Sequence, residues 1–460
     1  MDKSILDEVV GDRPDPPPLT PETLSAAYAR ISRDPRPVTE LRADSREAVA
    51  RARQSMTTIV CKYGPHSVAE HAAFNFDLLD VSRLAVESIE SHRLASYTEK
   101  SQRYIKLGTD FVVPEEVVKA GLEGPFTEFV HRCFHRYEVL LQGLLAGGVD
   151  KGLAGEDARY VLPLATSAQL GMTVNGRTLE YMIRRLAAHP LAEARDLGQQ
   201  LLDRGMSIAP SLLLFFEPGD YQVRRQEDLA RAVHRLWPHR DAPAQRSGDV
   251  SMAVTMPDGD LRVLAALALP ALGGDFDSAL ERVTALDEKG RMDLFETATR
   301  HMTIHDAPPR EFEHGVMSFE VVLSSAAYGQ LKRHRMSSQT PLPYDTALGI
   351  TVPPAISRLG LESELEDAAA DAADLADRLG GRGTPAAEYA MLNANRRTVL
   401  LTLNLREMYH VSRLREDEHA QWDIRAVATD MSNLAREAFP VCSRLLGGKH
   451  ELEKTLGTGE

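Results

Sequence analysis

The feature that constrains this chain most is a repetition. Glu70-His71, leading into AAFNFDLLD, is answered 243 residues later by Glu313-His314, leading into GVMSFEVVL. His92-Arg93 is answered by His334-Arg335 at an offset of 242, and Asn175-Gly-Arg177 by Asn404-Leu-Arg406 at 229. Three correspondences in one order and at similar spacing define a tandem duplication, with a first repeat over 1–240 and a second over 250–460. The fold must therefore be one that the same unit builds twice. The loosely built HRDAPAQRSGD (239–249) reads as the linker between the copies, and the proline-rich DRPDPPPLTPE (12–22) as an extended surface arm.

Within each repeat the coarse pattern is alike. AAFNFDLLDV and GVMSFEVVLS alternate apolar with other residues, as half-buried strands do. Each runs into an apolar-rich helix, SRLAVESIE or SAAYGQLK. Longer helical stretches follow, LAEARDLGQQLLDRG (191–205) and LESELEDAAADAADLADRL (361–379). The class this predicts is α+β, one small, mostly antiparallel sheet per repeat with helices around it.

Composition narrows the function. The 460 residues carry a net charge of −14, which argues against a general nucleic-acid or membrane-surface binder while leaving room for a local basic pocket. Cys61, Cys133 and Cys442 are far apart and form no CxxC pair, so buried free thiols in a reducing cytoplasm are expected. MDKSILDEVV lacks the layout of a signal peptide, and the longest apolar run, VLAALALPALGG (263–274), is too short to span a bilayer and holds Pro270.

Two stretches carry chemistry. SHRLASYTEKSQRY (91–104) mixes two arginines and a glutamate with hydroxyls and aromatics, an assortment suited to an anionic, hydrogen-bonding ligand. QLKRHRMSSQTP (330–341) is its partial echo, with a richer beginning and no matching end. Arg159, in ARYVLP, adds a third arginine to the first repeat, and arginine's planar fork suits phosphate or a pyrimidine carbonyl edge. In LNLREMYHVSRLREDEHAQWDIR, positions 406, 410 and 413 share a helix face. The plain alternatives at this point are solvated helix ends with ordinary ion pairs and an exposed basic helix side. HSVAEH (66–71) has a spacing one residue longer than the inverted zinc motif, so no metal is expected. GRGTPA (381–386) follows a helical stretch and contains Pro385, which excludes a dinucleotide turn.

With these residues in view, the sequence resembles the flavin-dependent thymidylate synthases. That family carries G-H-x-S-x-x-E-H, then R-H-R-x-x-S-x-N-E-x-S-x-R, and ends with N-x-R, a downstream arginine and H-A-Q-W-E-I-R. YGPHSVAEH and SHRLASYTEKSQRY resemble the first two parts; LNLR, Arg415 and HAQWDIR resemble the last. The copies depart from the pattern in opposite ways. The first has Ser88, Ser91 and Thr98 where the family has Gln, Arg and Asn, Pro65 for the histidine of G-H, and Leu186 near the catalytic arginine's place. The second keeps Gln330, Arg333, His334, Arg335 and Ser338, then has Thr340, Pro341, Pro343 and Asp345 where N, E, S and R belong, and Glu388 in place of Arg159.

The resemblance implies reductive methylation of deoxyuridylate to thymidylate at C5, with FAD as cofactor and NADPH and methylene-tetrahydrofolate as co-substrates. By residue-to-residue carry-over, Glu99, Ser101, Gln102, Arg103, Arg159, Gln330, Arg333 and Arg415 bind the nucleotide, and Arg415 is catalytic. Arg333, His334, Arg335, Asn404, Arg406, His410 and His419 line the flavin. Family enzymes are tetramers with sites shared between subunits. A two-repeat chain is thus expected to form a homodimer of four repeats, each chain keeping one composite site. The alternatives are a C5-alkylating flavoenzyme for another pyrimidine nucleotide such as UMP, and a non-catalytic flavin or nucleotide binder.

Overall fold

A computed structural model describes residues 20–47, 50, 54, 66–102, 108–238 and 248–455. The arm at 12–19, Cys61, Pro65, Arg103 and most of the linker lie outside them. The chain forms two compact units, one of Met1–Ser101, Asp110–Glu123 and Ala165–Ala242, the other of Gln102–Thr109, Gly124–Leu164 and Pro243–Glu460. The architecture is α+β, with one antiparallel sheet in each unit.

In the first unit the strands are β1 (Ala73–Ser82), β2 (Ala95–Glu99) and β3 (Ser167–Asn175), in the order β1-β3-β2. Period-two burial along β3 places Ala168, Leu170, Met172 and Val174 in the core. The Arg83–Glu90 helix starts where Ser82 accepts from the amide of Ala85. Ser82 is itself held by Glu193, second residue of the Ala192–Ile208 helix, which accepts from its amide and its hydroxyl at 2.6 Å each.

The second unit repeats this plan with an added edge strand. Its strands are β4 (Val250–Thr255), β5 (Val316–Ser324), β6 (Ser338–Pro341) and β7 (Arg396–Asn404), in the order β4-β5-β7-β6. β5 and β7 pair without a break from Val316 opposite Asn404 to Ser324 opposite Arg396. Ser324 caps the Ser325–Leu331 helix and donates to Asp423, second residue of the Trp422–Ala438 helix. Asp423 thus does for the second copy what Glu193 does for the first. The core joins Met317, Phe319, Val321, Val399, Leu401 and Leu403 of the sheet to Met408, Val411, Ile424, Val427 and Met431 of the helices.

The compact units divide the chain differently from the sequence repeats, because residues 124–164 are built into the second unit. There the Glu123–Ala146 helix runs antiparallel to Glu362–Arg378. Arg136 meets Glu364, Asp367 and Asp371, and Arg132 also reaches Asp371. Further along, Gly143 and Gly147 let Leu361 and Leu359 approach closely; a Cβ on Gly147 would lie 2.4 Å from Leu359 Cδ1. Beyond these helices, first-repeat and second-repeat backbones pair directly: Leu164 N donates to Met391 O at 2.7 Å, Asn393 N to Leu162 O at 2.8 Å, and Ala394 N to Tyr160 O at 3.0 Å. No single described helix is long and apolar enough to cross a membrane.

Candidate active site

Asn404 starts the Leu405–Arg415 helix by accepting from the amide of Glu407 at 2.8 Å. That helix then presents Arg406, Glu407, His410 and Arg413 to one cavity of about 300 Å³, walled also by Ala307, Pro308, Glu313, Met336, Asn404 and Tyr409. Arg406 is fixed there, donating to Pro308 O at 2.8 Å and to Glu313 at 3.4 Å. The first repeat keeps the same device, since Arg177 donates to Glu70 at 2.6 Å. The E-H and N-x-R motifs recur together because they bind one another.

At the far end of the helix Arg415 turns to the R-H-R segment. Its Nε donates to His334 Nε2 at 2.9 Å and its Nη2 to Gln330 O at 3.1 Å. An arginine is always the donor, so His334 accepts with an unprotonated Nε2. Burial, and then the Arg415 charge, push His334 down to about 3. The ring stands edge-on to His410, 5.4 Å between centroids, and its Nδ1 lies 3.6 Å from Glu407 Oε1. Burial raises Glu407 above the usual carboxylate range against the pull of His410 and Arg406. Burial lowers His410.

Gln330 also leads back to the first repeat. Its Nε2 donates to Gln421 Oε1 at 3.4 Å, and Gln421 Nε2 donates to Tyr160 OH at 2.7 Å. Tyr160 donates to Asp423 at 2.9 Å and stacks on Trp422 with 5.6 Å between ring centroids. Trp422 Nε1 donates to Asp157 at 2.8 Å. Burial, first of all, lifts the Asp157 carboxyl to about 6. Arg159, next to Tyr160, is buried, with its carbonyl accepting from Asn393 Nδ2 at 2.9 Å. The same Nδ2 is 3.3 Å from Gln102 Oε1. Gln102 Nε2 and Asn393 Oδ1 are buried and have no hydrogen-bond partner among the described residues.

Of the residues expected from sequence, Gln330, His334 and Arg415 thus share one hydrogen-bonded path in the second unit, while Gln102 and the carbonyl of Arg159, next to Tyr160 in the chain, meet at Asn393. Asn404, Arg406 and His410 line the cavity; Arg333, His334, Arg335 and His419 are not among its lining residues. Arg333 is exposed, Arg335 half-buried, and His419 stands on the surface, 88% exposed, with Nε2 3.7 Å from Glu418. Glu99 lies in the first unit, in a buried ion pair with Arg83, and Ser101 is half-buried there. Tyr160, Asn393, Gln421 and Glu407 were not anticipated as site residues. Tyr160 and Gln421 lie inside the ARYVLP and HAQWDIR stretches, next to Arg159 and Trp422, which was their only signal.

The first unit holds a remnant of the same arrangement. His92 stands edge-on to Tyr181 at 5.9 Å, as His334 does to His410. Tyr97 OH donates to the carbonyls of Ile89 and His92, where Gln339 donates to those of Leu331 and His334. Leu186, however, occupies the arginine's place, eleven residues after Asn175 as Arg415 is after Asn404. His92 Nε2 is left buried without a hydrogen-bond partner among the described residues.

The profile of the thymidylate synthase complementing protein family matches residues 18–211 and again 256–441. A UPF0159 protein of Chlamydia muridarum is 24% identical over 449 residues, 90% of this chain and 84% of its own. The flavin-dependent thymidylate synthase of Clostridium tetani is 30% identical over 209 residues, 43% of this chain and 83% of its own, and so matches a single repeat's length. A solved structure, the UMP/dUMP methylase PolB from Streptomyces cacaoi bound with 5-Br dUMP, covers 42% of this chain and 88% of its own at 18% identity and a TM-score of 0.34, too loose to place any residue.

Proposed function

Because the chain belongs to the thymidylate synthase complementing protein family, carrying its domain twice, we propose that it is a flavin-dependent thymidylate synthase with one composite site per chain. The observation that carries this reading is the path from Tyr160 through Gln421 and Gln330 to Arg415 and His334. It joins the surroundings of the first repeat's Arg159 to the second repeat's arginine–histidine pair, and each repeat alone lacks half of these groups.

Arg159, Gln102 and Gln330 hold the nucleotide in this reading, the guanidinium supplying charge and a planar donor fork to the phosphate. Arg415 faces the uracil N3/O4 edge and favours its anionic form, which makes C5 nucleophilic; a fixed cation aimed at developing negative charge is often the largest catalytic term. The cavity beside Asn404, Arg406 and His410 suits part of a flavin, combining apolar walls at Pro308, Met336 and Tyr409 with polar groups that meet a ring's hydrogen-bonding edge. FAD, when bound, carries the hydride from NADPH, and methylene-tetrahydrofolate supplies the carbon. Neither described cysteine, Cys133 or Cys442, is placed to act as a nucleophile, as both are buried and burial pushes their thiols up. Two chains make the four-repeat assembly, with two working sites.

A second reading keeps the chemistry and changes the nucleotide to a ribonucleotide such as UMP. Gln102 Nε2 and Asn393 Oδ1, buried and without a partner among the described residues, favour it, because an additional sugar hydroxyl would satisfy them. One experiment tests both. Purified protein is expected to be yellow, to bleach with NADPH, and to recolour when methylene-tetrahydrofolate and deoxyuridylate are added together. Release of tritium from C5-labelled dUMP supports the first reading, and release from UMP alone the second. A colourless protein that releases none overturns both, and two equivalent nucleotides bound per chain overturn the single composite site.

A further inference from the structure

His334 Nδ1 and Glu407 Oε1 are both buried, both without a hydrogen-bond partner among the described residues, and face one another at 3.6 Å. A buried donor and a buried acceptor left unmade are each costly, and here each is the other's nearest remedy. The separation is longer than a hydrogen bond, but contacts of this kind are often long before ligand binds and tighten afterwards. On the opposite side of the same ring, Arg415 Nε donates to Nε2. The imidazole therefore has its lone pair toward Arg415 and its proton toward Glu407.

We propose that Glu407 is a positioning residue for Arg415, acting through His334 in a carboxylate–imidazole–guanidinium relay. The ionised carboxylate favours the Nδ1–H tautomer and fixes the ring, and the bare Nε2 then orients the guanidinium. A carboxylate that orients an imidazole which in turn orients a reacting group is a general device. In the first repeat Thr178 stands in Glu407's place and Leu186 in Arg415's, so both ends of the relay are missing together. The inference rests on the reading of Arg415 as the catalytic cation.

The charged groups around Glu407 are few. His334 faces it from the R-H-R segment, and Arg406 and His410 from its own helix. The Arg310–His314 turn brings Glu313 to the same cavity, already paired to Arg310 and Arg406. The Trp422–Ala438 helix packs on this helix through apolar side chains such as Ile424, Val427 and Met431, and its Ser432 holds Glu416; on the Lys449–Thr455 helix, His450 lies 4.0 Å from Asp417. β7 contributes the neutral Asn404.

Glu407→Gln is isosteric with the protonated acid, so it should behave at every pH as the wild type behaves below the carboxyl's raised pKa. Its kcat per bound flavin should fall roughly 10- to 100-fold, as loss of a ligand-orienting partner does, with nucleotide KM unchanged. The acid limb of the wild-type pH profile should vanish. Nitrogen-15 spectra of the histidines give a readout that needs no turnover: His334 should be protonated on Nδ1 and bare on Nε2, with the Nδ1–H signal shifting as Glu407 titrates. A proton on Nε2, or an Nδ1–H signal indifferent to that titration, overturns the relay even if the variant fails to fold. Unchanged kcat and an unchanged acid limb in Glu407→Gln overturn it as well. The spectra decide the relay separately from whether the protein makes thymidylate.

Discussion

Arg415 and His334 are joined nitrogen to nitrogen, Nε donating to Nε2 at 2.9 Å. The equivalent pair of the first repeat is Leu186 and His92, in which nothing described donates to the imidazole. One duplication has thus yielded a polar end-of-helix contact in one copy and a buried leucine at the matching position in the other. The two are separable by substitution.

Arg415→Ala should lower turnover by about two to three orders of magnitude, the cost of removing a comparable charge stabiliser, with flavin retained. Leu186→Ala should do the reverse. Leu186 is 1% exposed, and truncating a buried leucine costs about 2–5 kcal/mol, while turnover per folded molecule is kept. Steady-state kinetics and urea denaturation on the same two variants check this. Loss of turnover in Leu186→Ala without loss of stability would place chemistry in the first unit as well.

Tyr160→Phe should affect both binding and stability. Its hydroxyl lies between Asp423 and the amide of Gln421, and Gln421 is the next link to Gln330. Removing it leaves a buried amide donor short of a partner, worth about 1–3 kcal/mol, and loosens the side chain that holds Gln330. A lower thermal midpoint together with weaker nucleotide binding by calorimetry is expected. A fall in stability with unchanged affinity would confine Tyr160 to packing.

Acid should destabilise the fold below neutrality through its buried neutral histidines. Burial, above all, pushes His92 down to about 4, and the unfolded ring titrates near 6.5. As pH falls through 6.5 the unfolded chain takes up the proton and the native one does not, so stability is full above that pH and declines until about pH 4. At 1.36 kcal/mol per unit, His92 alone contributes a loss of about 3 kcal/mol. His334 adds a decline of the same sign that extends to about pH 3. His92→Asn keeps a donor for Ile89 O, to which Nδ1 now points at 3.0 Å, and removes the titration. Its urea midpoint should vary less between pH 6.5 and 4 than that of the wild type; equal slopes would mean that His92 is protonated in the native state.

Much of this was legible in the sequence. The alternation in AAFNFDLLDV and GVMSFEVVLS gave β1 and β5 within a residue or so, because the first half of each strand buries alternate residues. The N-x-R and E-H pairs read correctly as corresponding motifs, and their ion pairs explain the correspondence. The shared helix-start acids were harder: HPLAE and HAQWD agree only in the histidine and the acid, yet Glu193 and Asp423 both hold the serine that ends a strand. Glu407 follows Arg406 and reads as one more surface charge, since nothing in a linear pattern says that its neighbour across the fold is a buried imidazole. The choice of partner for the Glu123–Ala146 helix was equally hidden, because amphipathic periodicity gives a buried face without naming what covers it.

That helix pairing yields the last prediction. Arg136 is mostly buried and faces three carboxylates of the Glu362–Arg378 helix, Asp371 at 2.9 Å and Glu364 and Asp367 at 3.7 Å. Arg136→Ala removes the central cation from a cluster in which Arg132, 3.2 Å from Asp371, is the other cation. A multi-charge, partly buried network exceeds the value of an exposed pair, so a loss of about 1–2 kcal/mol is expected at neutral pH and low salt. Part of it should return in 1 M salt, where the screening length is about 3 Å and the stranded carboxylates repel less. Lys119→Ala is the control: its ion pair with Glu115 is exposed on both sides, and its loss should leave the urea midpoint essentially where it was. Equal urea midpoints for the two variants would mean that the apolar contacts at Gly143 and Gly147, and not the charges, hold the first repeat's helix to the second's.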